Sequence, residues 1–390
     1  MTFRYPETID RNPLIKDLTG WTTIQRAERV LAAVAFFSER DINMSLGDVE
    51  ARPVRRVGFL LIENFSLMSF SAAVEPLRAA NVLAERQLYS WTIIAPSTTA
   101  AASSSGARLS PDVVLSGIAA DRWRFDDIFV CAGGDPATFE DQTTFAWLRR
   151  QARRGTRLGG VSGGTWILAR AGVMSCHRCT IHWEHVAAFR EAFPEIDVRP
   201  TLFEIDGDRL SCAGGIASLD LMHALIEADY GAELARRVSE WFLQTSVRTG
   251  DGSQRMEPSA RFNVHSAPLA AALTLLQRRY AEPIDASILA KAVGISARHL
   301  QRLFLNQLGT TLERHLFAIR LDHARQLLRQ STLPVLEVAL ASGFLSASHF
   351  SRVYRAQFGI SPRHERYARA SHGVSPDDRK PEQPGKGTHQ

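Results

Sequence analysis

The chain has 390 residues, of which 45% are hydrophobic and 22% are charged. At about 150 residues per domain, this length predicts two or three packed cores. The composition excludes a disordered or fibrous protein, and no apolar run approaches the roughly 20 residues that cross a bilayer. The most apolar early stretch, Val30 to Phe37, has no basic lead or cleavage site, so we expect a cytoplasmic protein without an export signal.

The four cysteines predict neither a metal site nor a disulfide framework. They are Cys131, Cys176, Cys179 and Cys212, and only one pair is closely spaced. A second Cys-x-x-Cys, which would complete a common zinc site, is missing from the sequence. We therefore expect no metal and no bound cofactor.

Charge is distributed unevenly along the chain. Residues 261–372 contain 15 Lys and Arg against 6 Asp and Glu, whereas the net charge of the whole chain is only +5. A basic module joined to a mildly acidic one is typical of a polyanion-binding domain attached to a second domain. A solvated basic surface is the alternative that charge alone leaves open.

The sequence pattern of residues 53–248 predicts an α/β domain. We assign no function to the extension 1–52 that precedes it. Short β-branched and aromatic runs alternate with longer helical periods, which favours a mainly parallel sheet flanked by helices. The predicted strands are Val57 to Ile62, Trp91 to Ala95, Ile128 to Ala132 and Leu158 to Val161. The predicted helices are Ala72 to Glu85, Thr143 to Arg154, Thr165 to Arg170 and His185 to Ala192.

The end of this domain predicts a hairpin, two helices and a linker. Val198 to Ile205 and Leu210 to Ala213 flank an Asp-Gly-Asp turn, and helices are predicted at Leu219 to Ala228 and Ala232 to Gln244. The polar, glycine-rich stretch that starts at Thr249 places a linker at 249–266.

Residues 267–369 predict an all-α domain, followed by a disordered tail at 370–390 that is rich in Pro, Gly and charge. The predicted helices are 268–281, 285–293, 297–308, 311–329, 334–342, 347–357 and 362–369.

The residues around Gly294 have the spacing of a helix-turn-helix unit. Ala290 is small enough to let the second helix approach, Gly294 permits the positive φ of the turn, and Ser296 is placed to cap the next helix. Leu300 and Phe304 then face inward, which leaves the opposite face free. The predicted DNA contacts of this unit are Ser296, Arg298, Gln301 and Arg302.

A second unit repeats the pattern about 50 residues later. Ala339, Gly343 and Phe344 are followed by Phe350 and Tyr354, with one extra residue in the turn. The predicted DNA contacts of this unit are Ser346, Ser348, His349, Arg352 and Arg355.

One long helix, Leu312 to Arg329, is predicted to join the two units. This arrangement lets both second helices enter successive major-groove segments of one duplex. A protein-interaction module is the alternative for an all-helical domain.

The run from about Leu273 to Arg366 closely resembles the DNA-binding domain of AraC/XylS transcription regulators. It includes Val-Gly-Ile-Ser-Ala-Arg-His-Leu-Gln-Arg-Leu-Phe and Ser-Gly-Phe-Leu-Ser-Ala-Ser-His-Phe-Ser-Arg-Val-Tyr. The resemblance implies a sequence-specific regulator, usually an activator that touches RNA polymerase, whose other domain senses a signal.

In the front domain, Gly160-Val161-Ser162-Gly163-Gly164 follows a predicted strand and precedes a helix. It fits the pattern G-x-S-x-G, in which glycines allow a strained turn that exposes the central side chain. An α/β-hydrolase requires an acid and then a late His, whereas His182 comes only 20 residues after Ser162. That spacing suits a different family.

Residues from about Val54 to Gln244 resemble the glutamine-amidotransferase-like fold of the ThiJ/PfpI superfamily, which implies a flavodoxin-like domain. The matching pieces include Val-Cys-Ala-Gly-Gly, Gly-Gly-Val-Ser-Gly-Gly and Thr-Ile-His-Trp-Glu. Together with the AraC-type module, the chain resembles the GlxA-like regulators. The catalytic Cys, His and Glu of the enzymatic relatives fall on Ser162, His182 and Glu75.

Serine at the elbow position predicts a site without catalysis. A cysteine is partly ionised at neutral pH, whereas a serine hydroxyl needs an aligned base before it can attack. We expect a binding pocket, in which amides after Ser162 face a ligand carboxylate. The residues predicted to line it are Glu75, Gly133, Gly134, Ser162, Gly163, His182 and Trp183.

We therefore expect a DNA-binding regulator, controlled by a small nitrogenous metabolite and active as a homodimer. GlxA-like relatives respond to arginine or to quaternary amines such as betaine and carnitine, so the resemblance implies that ligand class. The partners implied are double-stranded DNA, RNA polymerase and the effector, without a membrane. The alternative is a hydrolase or amidase that uses Ser162 and carries an appended interaction module.

Overall fold

A computed structural model describes residues 53–97, 100–116 and 123–366. The predicted extension 1–52, the tail 370–390 and the last residues of the helix predicted at 362–369 lie outside this range. The described residues from Val54 onward belong to one compact unit. Within them, no helix combines the length and the apolar character that crossing a bilayer requires.

The α/β domain is built on one central sheet of seven strands. In spatial order these are β10 (Phe203–Asp206), β11 (Arg209–Cys212), β7 (Arg157–Ser162), β6 (Asp127–Ala132), β1 (Arg55–Leu61), β2 (Tyr89–Ala95) and β5 (Val113–Val114). All neighbouring strands are parallel except β10 and β11, which form an antiparallel hairpin. Two small pairs lie outside the sheet, β3 (Ala101–Ala102) with β4 (Arg108–Leu109) and β8 (Arg178–Cys179) with β9 (Asp197–Val198).

Helices cover both faces of the sheet. They are α1 (Leu67–Leu83), α2 (Gln142–Arg153), α3 (Gly164–Arg170), α4 (Val186–Ala192), α5 (Ala217–Tyr230) and α6 (Ala232–Trp241). Helices α1, α5 and α6 pack on one face, and α2 and α3 pack on the other. Along β1, Phe59 and Leu61 point to the first face while Leu60 points to the second, because successive side chains alternate across a strand. The predicted mainly parallel, doubly covered sheet is confirmed.

The four predicted strands correspond to β1, β2, β6 and β7, with ends shifted by at most two residues. Two other predictions need correction. Helix α1 begins at Leu67 rather than Ala72, because the Ser66 hydroxyl caps it by accepting a hydrogen bond from the Ser69 amide. The hairpin begins at Phe203, because Val198 pairs instead with Cys179 in the separate β8–β9 pair.

The segment after α6 is tied back to the α/β domain. The carboxylate of Asp220, fully buried in α5, accepts hydrogen bonds from the backbone and the guanidinium of Arg248. Further on, the Gln254 side-chain amide donates to the carbonyl oxygens of Ile181 and Thr201 at 3.0 and 2.7 Å. Part of the stretch predicted as a linker therefore lies against the domain it follows, and α7 (Pro258–Arg261) comes next.

The described residues from Ala267 onward are mainly helical, as predicted. The helices are α8 (Ala267–Arg279), α9 (Ala286–Ala292), α10 (Ala297–Leu308), α11 (Leu312–Gln330), α12 (Val335–Ala341) and α13 (Ala347–Phe358), followed by a helical segment at 362–366. Helices α9 and α10 form the first helix-turn-helix unit, and α12 and α13 form the second. Helix α11 joins the two units.

Both units have the turn chemistry that the sequence predicts. Gly294 and Gly343 adopt φ values of +72° and +79°. The hydroxyls of Ser296 and Ser346 cap α10 and α13 by accepting hydrogen bonds from backbone amides three residues later. These four residues define where each second helix starts.

The two turns differ in how closely they are packed, which predicts different costs for the same substitution. An alanine at positive φ costs about 1 to 2 kcal/mol at either glycine. A Cβ at Gly343 would also lie 2.9 Å from the backbone of Ala281, whereas one at Gly294 would meet no atom within 4 Å. We expect Gly343→Ala to lower the free energy of unfolding by about 1 to 3 kcal/mol more than Gly294→Ala. Denaturant titration of both variants measures this difference, and equal losses would contradict the packing argument.

Candidate DNA-binding face and ligand crevice

Helix α10 separates a buried face from an exposed one. Leu300 and Phe304 are fully buried in a core shared with α8 and the start of α11. The predicted DNA contacts lie on the surface, and each is exposed to solvent: Ser296, Arg298, Gln301 and Arg302. Two guanidinium groups and an amide therefore lie on the exposed face of a helix whose opposite face is packed into the core.

Helix α13 presents a similar face with one difference. Phe350 and Tyr354 are fully buried, and the exposed predicted contacts are Ser346, Ser348, Arg352 and Arg355. His349, which was predicted to lie on the free face, is less exposed than the other four residues. Its ring is half-buried and packs against the rings of Phe317 and Phe344 at centroid distances of 5.9 and 6.1 Å.

A buried carboxylate fixes α13 to the connecting helix α11. Glu365 accepts hydrogen bonds from the Arg329 guanidinium at 2.6 Å and from the Tyr354 hydroxyl at 3.0 Å. Burial alone would raise the pKa of Glu365. The two hydrogen bonds and the charges of Arg329 and Arg325 together lower the pKa by more than burial raises it, so it lies below its ordinary value. The guanidinium of Arg325 also lies over the Phe358 ring at 4.5 Å. The second recognition helix is thus held to α11 by charge as well as by apolar packing.

The elbow in the α/β domain has the strained geometry that the motif predicts. Ser162 ends β7 with a φ of +58° and is 8% exposed. Such a φ is uncommon for a residue with a Cβ and is maintained only when the surroundings enforce it. A Cβ at Gly164 would lie 1.8 Å from the Val130 carbonyl oxygen, and one at Gly160 would lie 2.4 Å from the Thr165 nitrogen. Glycine is therefore required on both sides of Ser162.

The side chain that α1 brings close to Ser162 is Ser69. A Cβ built on Gly214 would lie 2.6 Å from the Ser162 Cβ and 3.0 Å from the Ser69 hydroxyl oxygen, so both serines border the same small space. The Ser69 hydroxyl accepts a hydrogen bond from the Gly215 amide at 2.7 Å. Sequence reasoning missed Ser69 because the helix was predicted to begin only at Ala72, three residues after it.

The three residues aligned with a catalytic triad are not joined by hydrogen bonds. Among the described residues, the Ser162 hydroxyl has no hydrogen-bond partner, and the Nδ1 atom of His182 lies 3.7 Å from the Glu184 carboxylate instead. Glu75, about half exposed, pairs with Arg78 at 2.7 Å and is linked by hydrogen bonds to neither Ser162 nor His182. Burial lowers the pKa of His182, more than the nearby Glu184 raises it. A base aligned to activate the Ser162 hydroxyl is thus absent from the described residues.

Part of the predicted amide cradle is already occupied. The Gly163 amide donates to the Ala132 carbonyl at 3.0 Å, which corrects the expectation that it faces a ligand. Gly133 and Gly134 lie just after β6, and within the described residues their amides have no acceptor. Gly133 is also crowded, because a Cβ there would lie 2.6 Å from the Asn64 carbonyl oxygen.

Trp183 packs one face of its indole ring against one of the protein's own cations. The guanidinium of Arg255 lies over its indole ring at 4.4 Å. The neighbouring His185 is 4% exposed, and its Nδ1 lies 3.2 Å from the Gln330 side-chain oxygen at the end of α11. The stretch from His182 to His185 therefore contacts the helical module.

Three of the cysteines, Cys131, Cys179 and Cys212, are buried, whereas Cys176 is exposed. Cys131 and Cys212 are fully buried in neighbouring parts of the sheet, and burial raises the pKa of Cys212 to about 11. The thiol is therefore protonated at neutral pH. Among the described residues, no group of three or more His, Cys, Asp or Glu side chains is placed to hold a metal ion.

Comparison with known proteins agrees with both halves of the structure. Residues 55–228 match the DJ-1/PfpI family, and residues 289–368 match a helix-turn-helix domain. The HTH-type transcriptional regulator GlxA of Rhizobium meliloti (strain 1021) is 42% identical over 80% of this chain and 96% of its own length. The HTH-type transcriptional regulator GbdR of Pseudomonas aeruginosa (strain UCBPP-PA14) is 38% identical over 81% of this chain and 85% of its own length.

The chain belongs to the GlxA-like transcriptional regulators. It is accordingly a DNA-binding regulator rather than an enzyme. A crystal structure of an AraC family transcriptional regulator from Pseudomonas putida is 33% identical, with a TM-score of 0.44 over 48% of this chain and 99% of that one.

The packing of His323 predicts how the stability of this GlxA-like regulator depends on pH. Its Nδ1 lies 3.2 Å from the Ser342 hydroxyl, and burial, with a smaller contribution from Arg190, lowers its pKa from 6.5 to about 4. The unfolded chain then binds a proton that the folded chain excludes, so stability is lost as the pH falls from about 6.5 towards 4. We expect His323→Gln to reduce this loss by up to about 3 kcal/mol.

Denaturant titrations at several pH values between 4 and 7 measure this loss. His265→Gln, at an exposed histidine before α8, is the matched control. The same pH slope in both variants would contradict the assignment to His323.

Proposed function

We propose that this GlxA-like regulator binds a promoter as a homodimer and activates transcription through contact with RNA polymerase when a small nitrogenous metabolite is bound. Because its DNA target lies there, we place its action in the cytoplasm. The proposal is carried by one observation: α10 and α13 each expose arginines from a face whose reverse side is locked into a core. A recognition helix needs both properties, since side chains can read bases only from a rigid support.

The exposed side chains suit base and phosphate recognition. Arg302 and Arg352 can each form two hydrogen bonds to guanine, and Gln301 can do the same with adenine. The serines at the two helix starts, Ser296 and Ser346, place backbone amides and hydroxyls where a phosphate can accept from them. A monomer then contributes two reading helices, and a homodimer contributes four.

We place the effector in the crevice bordered by Ser162, Ser69 and Gly214. The strained φ of Ser162 supports a functional role, because such strain is concentrated at binding and catalytic sites. The lack of an aligned base favours binding over acyl transfer. The amides of Gly133 and Gly134 remain able to donate to a carboxylate, whereas Glu75, on the same helix as Ser69, already pairs with Arg78. The nitrogenous ligand class rests on the resemblance to GlxA-like relatives.

We expect Arg302→Ala and Arg352→Ala each to cost about 1 to 3 kcal/mol of specific DNA-binding free energy if the arginine reads a base. Operator fragments selected from genomic DNA, titrated at fixed salt by fluorescence anisotropy, measure the loss. Arg278→Ala is the matched control, because Arg278 is exposed on α8 outside both units. Unchanged affinity and unchanged footprints in both variants would remove these helices from the interface.

We expect Ser162→Ala to weaken effector binding about tenfold while leaving operator binding without effector intact, because it removes one hydrogen bond and little volume. Thermal shifts of the full chain with L-arginine, glycine betaine and carnitine measure the affinity. A saturating ligand at 100 times its Kd adds about 2.7 kcal/mol, which is easily detected. Ser175→Ala, at an exposed serine, is the control. Turnover of any amide or ester that disappears with Ser162→Ala would favour the hydrolase alternative.

A further inference from the structure

A second cavity lies between the α/β domain and the helical module. Its volume is about 710 Å³, and its walls come from the stretch after β8, from the segment before α8, and from α8 and α11. The aromatic side chains of Trp183, Phe262 and Tyr280 line part of it. Its lining shares no residue with the space bordered by Ser162, Ser69 and Gly214.

Charges of both signs line this cavity without direct partners. Within the described residues, neither the guanidinium groups of Arg255 and Arg261 nor the carboxylate of Asp322 takes part in an ion pair within 4.0 Å. By contrast, the two other arginines of the cavity, Arg325 and Arg329, both pair with Glu365. Cations and an anion that form no direct ion pair thus border one space.

The local electrostatics agree with this geometry. Burial raises the pKa of Asp322 even though three guanidinium groups, including those of Arg255 and Arg261, lower it. On the other side, burial and Arg261 lower the pKa of Arg255, and Asp322 and Glu184 only partly offset them. The Nε2 atom of His315, in the same wall, is buried and has no hydrogen-bond partner among the described residues. Buried polar groups that have no hydrogen-bond or ion-pair partner within the protein usually bond to a ligand or to ordered water.

Arg255 is also pre-oriented. Its guanidinium lies on the face of the Trp183 ring, which leaves the N–H groups at its edge free to donate to an oxyanion. A carboxylate that accepts from this edge would lie in the cavity. A cationic group on the same molecule would then be able to reach Asp322.

We propose that the cavity between the two domains binds a small zwitterion, whose carboxylate is held by Arg255 and Arg261 and whose cationic nitrogen is held by Asp322. A molecule with both charges matches walls that carry unpaired groups of both signs, whereas a simple anion or cation satisfies only one sign. This second binding site is independent of the crevice at Ser162, and neither requires the other.

A ligand in this cavity would affect the position of the second recognition helix, α13, through its contacts with α11. Asp322 and Arg325 lie on α11 one turn apart, and Arg325 contacts both Glu365 and the Phe358 ring of α13. The same ligand touches Arg255, which lies on Trp183 of the α/β domain. A bound zwitterion therefore links the two domains and restrains the support of α13. By linkage, DNA must change the affinity for the ligand by the same factor as the ligand changes the affinity for DNA.

Titration calorimetry of the full chain tests this proposal with four probes, two zwitterions and two molecules that carry one sign of charge. L-Arginine and 6-aminohexanoate carry both charges, and we expect at least one of them to bind saturably at millimolar concentration or below. Agmatine, which is arginine without its carboxylate, and succinate, which has no cation, serve as the single-sign probes at matched ionic strength. We expect both to bind at least tenfold more weakly.

The variants assign the site. We expect Arg255→Gln and Asp322→Asn each to weaken zwitterion binding at least tenfold. Arg255→Lys should weaken it less, because the positive charge remains. The control Arg278→Gln should leave zwitterion binding unchanged. Binding that survives the first two substitutions but disappears with Ser162→Ala would overturn the second site and support the crevice. Equal binding of succinate, or no saturable binding by either zwitterion, would also overturn it. Operator binding by the same variants without ligand confirms that they fold.

Discussion

Helix α11 belongs to two hydrophobic cores at once, and this shared packing determines the geometry of the whole helical module. Its first turns place Leu312 and Leu316 in the core of the first helix-turn-helix unit, and its later turns place Ala324 and Leu328 in the core of the second. A helix rises 1.5 Å per residue and bends little, so the separation of the two units is set by the number of residues between these contacts. Neither recognition helix can move far without breaking apolar contacts along α11.

The crevice at Ser162 combines features that depend on backbone packing with features that depend on a reactive atom. Glycines that admit no Cβ surround Ser162, and the turn keeps its side chain at a strained φ. These features depend on backbone packing, which a change of the central side chain does not disturb. Nucleophilic attack depends instead on the pKa of one atom and on an aligned base. Serine without such a base retains the first set of properties and lacks the second.

The two domains share more than a covalent connection. The Gln254 side chain is hydrogen-bonded to carbonyl groups of the α/β domain, and the His185 ring is hydrogen-bonded to Gln330 at the end of α11. In addition, one apolar core extends from one face of the sheet to the second helix-turn-helix unit. A signal in the α/β domain therefore has short, packed routes to α13. The charged cavity lies on one of these routes, where a bound molecule contacts both sides.

The sequence by itself determined the elements and their turns. Periodicity predicted α10 residue for residue, and glycine with a following serine located both helix-turn-helix turns, because these features depend on local backbone preferences. Only the tertiary structure decided which groups meet: Ser69 rather than Glu75 borders Ser162, the Gly163 amide is taken by Ala132, and the His349 ring packs on Phe344. These outcomes depend on distances between segments far apart in the chain. Spacing along a helix gives the face on which a residue lies, but the depth and angle at which that face meets another element are set by packing.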